Sequence, residues 1–188
     1  MSYFDLLDDM EFPGRWVLGD VERNGSWANP WQFTAGNVVQ ADAPLNIAVL
    51  LQGRPLDYST DTYGVPIVTA RAADLLKQVC GSQVQLIEVS VQGHQGPFFI
   101  ANATRAADCV DEQLSQGVRR WTEEDGRPDR IGDYHAMDKL VIDPNRTGGL
   151  DLFRVARYTV VLIVSDRLKR TMEEAKLLGP RFDLVTPP

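Results

Sequence analysis

The feature that most constrains the fold of this chain is the run Tyr158-Thr159-Val160-Val161-Leu162-Ile163-Val164, its most apolar stretch, followed at once by Ser165. Seven residues rich in β-branched side chains suit a central strand buried on both faces, and they fall far short of the roughly 18–20 needed to cross a bilayer. Ser165 can cap a helix, because its hydroxyl accepts a free amide of the first turn. Leu168, Met172, Ala175 and Leu178 then make one apolar stripe, and Gly179-Pro180 ends the helix before a last short strand at Arg181 to Val185.

The same signals recur upstream. Thr69 caps a predicted helix whose Ala70, Ala73, Leu76 and Val79 or Cys80 lie three or four apart, with Gly81 after its last turn. Val84 to Val91 and Pro97 to Ala101 read as a hairpin around Gly93-His94-Gln95-Gly96. Leu45 to Leu51 reads as a buried strand stopped at Gly53-Arg54-Pro55, and Leu140-Val141-Ile142 as a short strand closed by Asp143-Pro144. A helix is expected around Asp111 to Val118, a charged surface loop over Thr122 to Gly132, and a single helical turn at Asp151 to Val155. Arg15 to Leu18 suggests a short strand, while strand and loop compete in the aromatic stretch Gly25 to Phe33. Hairpins and two good helices without regular βαβ alternation predict an α+β fold, a mixed or antiparallel sheet with a few helices packed on it in a single compact domain. Residues 1–60 are expected to form an acidic N-terminal region of that domain, and residues 61–188 its core.

Charge narrows the function. There are 26 Asp and Glu against 19 Lys and Arg, a net charge of −7, and residues 1–70 hold nine acids and three bases. Non-specific nucleic-acid binding draws on Lys and Arg replacing counterions on phosphates, so nucleic acid is not expected as a partner. Nor is a membrane: no apolar run is long enough, and Met-Ser-Tyr-Phe-Asp-Leu-Leu-Asp-Asp lacks the basic region and apolar core of a signal peptide, which points to the cytoplasm. Cys80 and Cys109 are too few for a disulfide framework and are expected to be small buried apolar groups.

Several segments, in their order and spacing, resemble a bacterial family of immunity proteins of polymorphic toxin systems, first catalogued as a domain of unknown function. They are Tyr63-Gly64-Val65-Pro66-Ile67-Val68-Thr69 leading into Ala72-Ala73-Asp74-Leu75-Leu76, Asp108-Cys109-Val110-Asp111, Leu140-Val141-Ile142-Asp143-Pro144, Asp151-Leu152-Phe153-Arg154, and Val161-Leu162-Ile163-Val164-Ser165 with Leu168. The resemblance covers roughly residues 60 to 188. It implies a cytoplasmic protein that binds a cognate toxin, often a nuclease, encoded by the adjacent gene, and it carries over no catalytic residue and no cofactor.

The residues themselves offer little chemistry. His135 lies near Asp133, Tyr134 and Asp138, a set that a metal site or a hydrolase could use, but no His-rich or Cys-rich spacing supplies the three or four ligands a metal needs. Cys109 lies between Asp108 and Asp111, whose charges would raise a thiol pKa, the wrong direction for a nucleophile. No nucleophile elbow, Walker loop or dinucleotide fingerprint is present, and no enzymatic activity is expected. Binding remains, by a toxin-neutralising protein or by an adaptor. Acidic surface suits the basic cleft of a nuclease. The candidate contacts are Asp5, Asp8, Asp9 and Glu11 near the N-terminus, Glu123, Glu124, Asp125 and Asp129 in the central loop, and Trp27 and Trp31, for which a place in the core is favoured over one in an interface. Self-association is left open by four tryptophans that can all be buried.

Overall fold

The computed structural model describes residues 1–41 and 43–187. In chain order the elements are β1 (Tyr3–Asp8), β2 (Val17–Arg23), β3 (Ser26–Trp27), β4 (Leu45–Leu51), β5 (Tyr58–Thr60), β6 (Pro66–Thr69), α1 (Ala70–Cys80), β7 (Val84–Val91) and β8 (Phe98–Ala103). There follow β9 (Ala106–Ala107), β10 (Arg119–Arg120), β11 (Tyr134–Ala136), β12 (Leu152–Val155), β13 (Tyr158–Ser165), α2 (Asp166–Glu174) and β14 (Pro180–Leu184). One sheet has the order β3-β2-β4-β7-β8-β6-β5 and a second β14-β1-β13-β12-β9, with β10 and β11 paired apart. Both larger sheets are mixed: β4 runs parallel to β7 and β9 to β12, the other neighbours being antiparallel. The fold is α+β, as the element pattern predicts.

The two sheets and both helices share one apolar core. Leu6, Leu152, Leu162 and Val164 enter it from the five-stranded sheet, Val68, Val84, Ala101 and Ala103 from the seven-stranded one, and Ala72, Leu76, Leu168 and Met172 from the helices. The outward faces are covered as well. Ile67, Phe98 and Ile100 point the other way, into a cluster with Trp16 and Phe33, while Phe153 and Ile163 meet Tyr3, Cys109 and Tyr134. This period-two alternation on strands buried on both sides explains why they read as continuous apolar runs.

The helix caps form as expected. Thr69 Oγ1 accepts from the Ala72 amide and Ser165 Oγ from that of Leu168, and β7 and β8 pair as the predicted hairpin. β13 sits in the middle of its sheet, but it is buried on both faces only from Leu162 onward; Val160 is exposed. β4 has the expected bounds, yet Leu50 and Leu51 are exposed at its far end. Arg15 to Leu18 leads into β2, and Gly25 to Phe33 holds both a short strand and a 3-10 turn at Pro30–Phe33.

Other expectations fail for identifiable reasons. Asp111 to Val118 is not a helix: Asp111 caps a single turn, its Oδ1 accepting from the amides of Gln113 and Leu114, but Gln116 then bridges to Lys139, as Val110 does to Ile142, and the turn is not continued. Leu140 to Ile142 contributes a bridge rather than a strand. Where a helical turn is expected at Asp151 to Val155, Leu152–Val155 form strand β12, held by pairing with β13, and the helical turn lies earlier, at Pro144–Arg146, where Asp143 accepts from the Asn145 amide. Helix α2 stops at Glu174, so Leu178 lies beyond it. Gly179 instead serves a close approach, since a Cβ there would meet the Tyr58 carbonyl at 2.0 Å.

Buried aspartates tie distant segments together. Asp57 accepts from Thr69 Oγ1 (2.9 Å), from Arg71 Nε (3.2 Å) and Nη2 (2.5 Å), and from the Leu178 amide (2.9 Å). Burial pushes its carboxyl up, but Arg71, the Leu178 amide and the Thr69 hydroxyl outweigh burial and hold it below the usual range. Asp151 likewise joins Ser165 Oγ (2.6 Å) to Arg167. Replacing Asp57 by Ala strips partners from three segments and is expected to cost about 2–4 kcal/mol in urea unfolding, whereas Arg71→Ala, at an exposed side chain, costs about 1 kcal/mol or less.

Candidate functional site

Three local devices bring an aromatic group to the surface. Asn24 and Gly25 both take positive φ, 51° and 74°, the turn that closes a two-residue hairpin, and it sends the chain back from β2 into β3 with Trp27 opposite Glu22. Asn29 Oδ1 then accepts from the Trp31 amide, with Pro30 fixing the first position of a 3-10 turn. Ala28, Pro30 and Phe33 take the inward places, so Trp31 is left outside. In the third device, Asp61 Oδ1 accepts from the amides of Tyr63 and Val65, both at 2.8 Å; Val65 goes into the core and Tyr63 points out.

The three rings meet. Trp27, Trp31 and Tyr63 are 54%, 47% and 42% exposed, and both indole rings stand edge-on to Tyr63 with centroids 6.0 and 5.9 Å from it. The core role weighed for the two tryptophans does not hold: Phe33, Trp16 and Val39 fill that side of the seven-stranded sheet.

Beside Trp31 opens a cleft of about 370 Å³. Its other walls come from the central loop, with Arg127, Asp129, Arg130 and Asp133, and from Arg157 in the turn between β12 and β13. Each of these arginines has a carboxylate: Arg127 with Asp129, Arg130 with Asp133, and Arg157 with Asp108. Trp121 packs between the His135 ring, 4.0 Å away, and Arg130. Trp31 and Asp129, from regions far apart in sequence, thus line one cleft.

The other acidic candidates differ in freedom. Glu11, Glu123 and Glu124 are exposed. Asp125 caps its own turn, accepting from the Thr122 amide at 2.7 Å and hydroxyl at 2.9 Å, and Asp9 accepts from the Glu11 amide. Asp8 is buried and gripped by Arg15 through two hydrogen bonds of 2.5 and 2.6 Å, with the Thr60 amide as a third donor. Asp5 lies within β1, half-buried and directly opposite Asp183 of β14; burial first and Asp183 second push its carboxyl up to about 6, against the pull of Arg154 and Arg181. Asp5 and Asp8 line a different cleft, next to the buried Arg154.

The groups weighed for catalysis are engaged elsewhere. Asp133 pairs with Arg130, Asp138 with Arg119, and His135 lies exposed on β11 against Trp121. Among the described residues, no group of three or more His, Cys, Asp or Glu converges as metal ligands would. Both cysteines are free and buried. Burial pushes Cys80 up to about 12 and Cys109 up to about 11; at Cys109 burial leads, Arg146 opposes it and Asp108 adds to it, so carboxylates are the lesser cause. No helix among the described residues is long and apolar enough to cross a membrane.

Tyr63 is the surface residue that sequence reading did not single out. Asn24-Gly25 is a hairpin signal that would have turned Trp27 outward, but nothing local places Tyr63 against two tryptophans more than thirty residues upstream.

Comparison with known proteins gives one family. A model described as "Immunity protein family (Imm11)" matches residues 44–186, well over half of the chain and beginning inside the N-terminal third. No curated protein matches.

Two titration outcomes follow from this geometry. Asp5 has a raised folded pKa, so its charge opposes folding above pH 6 and the penalty fades as pH falls towards 4. Asp5→Asn is therefore expected to stabilise the protein by about 1–3 kcal/mol at pH 7.5 and to lose that advantage near pH 4, read from paired denaturation curves. Both thiols are expected to resist iodoacetamide in the folded protein at pH 8 and to react readily once it is unfolded in urea.

Proposed function

The chain belongs to the immunity protein family Imm11, and from that premise we propose that it neutralises one cognate toxin by direct binding in the cytoplasm, without turning over a substrate. The family match over residues 44–186 is the observation that carries this reading. The toxin is the product of the adjacent gene, and a nuclease fits best, because a protein of net charge −7 is attracted to a basic, phosphate-binding cleft and oriented as it arrives.

The surface best suited to the contact is the one where Trp27, Trp31 and Tyr63 lie open beside the Asp129 cleft. Aromatic side chains bury large area at little entropic cost and are enriched among residues that dominate binding energy. Glu123 and Glu124, exposed on the same central loop, supply acidic charge for encounter. Glu11 is open to solvent, whereas Asp8, Asp9 and Asp125 hold local structure and Asp5 sits in the sheet, which favours the aromatic and loop residues as contacts.

Co-expression with the adjacent gene product tests this. Cells carrying the toxin are expected to survive only with this protein, and the two chains to co-elute as a stoichiometric complex. Absence of both protection and complex would remove the proposal. Glu123→Lys with Glu124→Lys is expected to slow association about tenfold at low salt, with a smaller effect at high salt.

A further inference from the structure

The aromatic group has more specific chemistry than exposed apolar area. Both indole planes are steeply inclined to the Tyr63 ring, at 64° and 72°, so the trio is a corner of differently oriented rings rather than a flat stack. The face of each ring is electron-rich and attracts a cation held within about 6 Å.

Carboxylates adjoin this corner through its own strands and turns. Glu22 stands across the β2–β3 pair from Trp27, and the Asp20 carboxylate accepts a hydrogen bond from the hydroxyl of Thr62, the residue before Tyr63. Behind the turn, Asp61 is buried with Oδ2 unpartnered. Burial foremost, and Asp20 among the lesser causes, raise the Asp61 carboxyl above its usual range. Among the described residues, none of these three acids forms an ion pair, whereas the arginines on the cleft side of Trp31 each have a partner. Arg23, next to Glu22, points to the opposite side of its strand by alternation. The corner is thus rich in π faces and negative charge and lacks a paired cation.

We propose that Trp27, Tyr63 and Trp31, with the carboxylates of Asp20 and Glu22 at the rim, form a receptor for a lysine or arginine side chain presented by the toxin. An apolar side chain would gain from the rings but leave the carboxylates without a counter-charge; a cationic one meets both, its stem on the indoles and its head against the acids. A phosphate-binding cleft is built of such side chains, so the receptor would engage the residues that make it basic. This assignment rests on the toxin-binding reading above.

Two measurements on the full chain decide it. In the first, N-acetyl-arginine amide and its uncharged isostere N-acetyl-citrulline amide are titrated while tryptophan fluorescence is read. The receptor predicts a saturable, salt-sensitive change with the arginine compound alone, abolished in Trp27→Leu and reduced in Asp20→Asn with Glu22→Gln. The same response to both compounds, or none to either, overturns it. In the second, Asp20→Asn with Glu22→Gln is compared with the unaltered chain for affinity to the adjacent gene product; neither side chain is buried, so folding is preserved, and the Kd is expected to rise about tenfold or more. An unchanged Kd removes the receptor and leaves the immunity proposal standing. If the unaltered chain neither binds nor protects, the immunity proposal fails, and the titration alone judges whether the cation receptor exists.

Discussion

Two sheets lying against one pair of helices form a constraint from which much of the surface follows. Leu6, Leu162 and Val164 must meet Val68, Ala101 and Ala103 across Leu76, Leu168 and Met172, and every strand that contributes to this core also has an outward face to cover. For the seven-stranded sheet that cover comes from the N-terminal third, where Trp16, Ala28, Phe33 and Val39 pack on Ile47, Ile67 and Ile100. With Phe33 and Trp16 in these places, Trp27 and Trp31 are left on the outside of the covering segment. An exposed aromatic group is thus a product of how the second face of the sheet is sealed.

The charged residues divide in the same way. Asp8, Asp57 and Asp151 are buried and each is gripped by an arginine, so their charge serves the joins between segments distant in sequence. Each keeps a further donor beside its arginine, Thr60 at Asp8, Thr69 and Leu178 at Asp57 and Ser165 at Asp151, so removing the carboxylate undoes more of the join than removing the arginine. Glu22, Glu123 and Glu124 lie outside these joins. A count of acids along the chain does not separate the two classes, and the N-terminal cluster mixes them: Asp8 is held by Arg15, Asp9 accepts from the Glu11 amide and Asp5 lies in the sheet, while the Glu11 side chain is exposed.

What could be read from sequence was what short range decides. Thr69 and Ser165 cap their helices through amides three residues away, and the hairpin partner of Val84–Val91 follows a loop of two glycines and two polar residues, so these elements were legible. The strand at Leu152–Val155 was not, because its backbone is fixed by β13 on one side and β9 on the other, and Asp151 spends its carboxylate on Ser165 and Arg167 instead of on a turn. The helix expected from Asp111 stops after one capped turn for a similar reason: the bridges Val110–Ile142 and Gln116–Lys139 take its flanks into pairing with a distant segment. At the candidate site, the stretch Gly25 to Phe33 left strand and loop in competition and the Asn24-Gly25 hairpin went unread, while the meeting of Tyr63 with both tryptophans is a tertiary event.

In the complex proposed above, the aromatic corner and the adjoining cleft occupy the toxin. Hydrogen–deuterium exchange of the free protein against its complex with the adjacent gene product tests it most directly. Binding is expected to protect amides in residues 24–34, 60–65 and 120–133, while the β14 edge and the Asp5 cleft exchange as before. Protection confined to that edge or cleft, with residues 24–34 and 60–65 unaffected, would place the toxin on a different face of the protein.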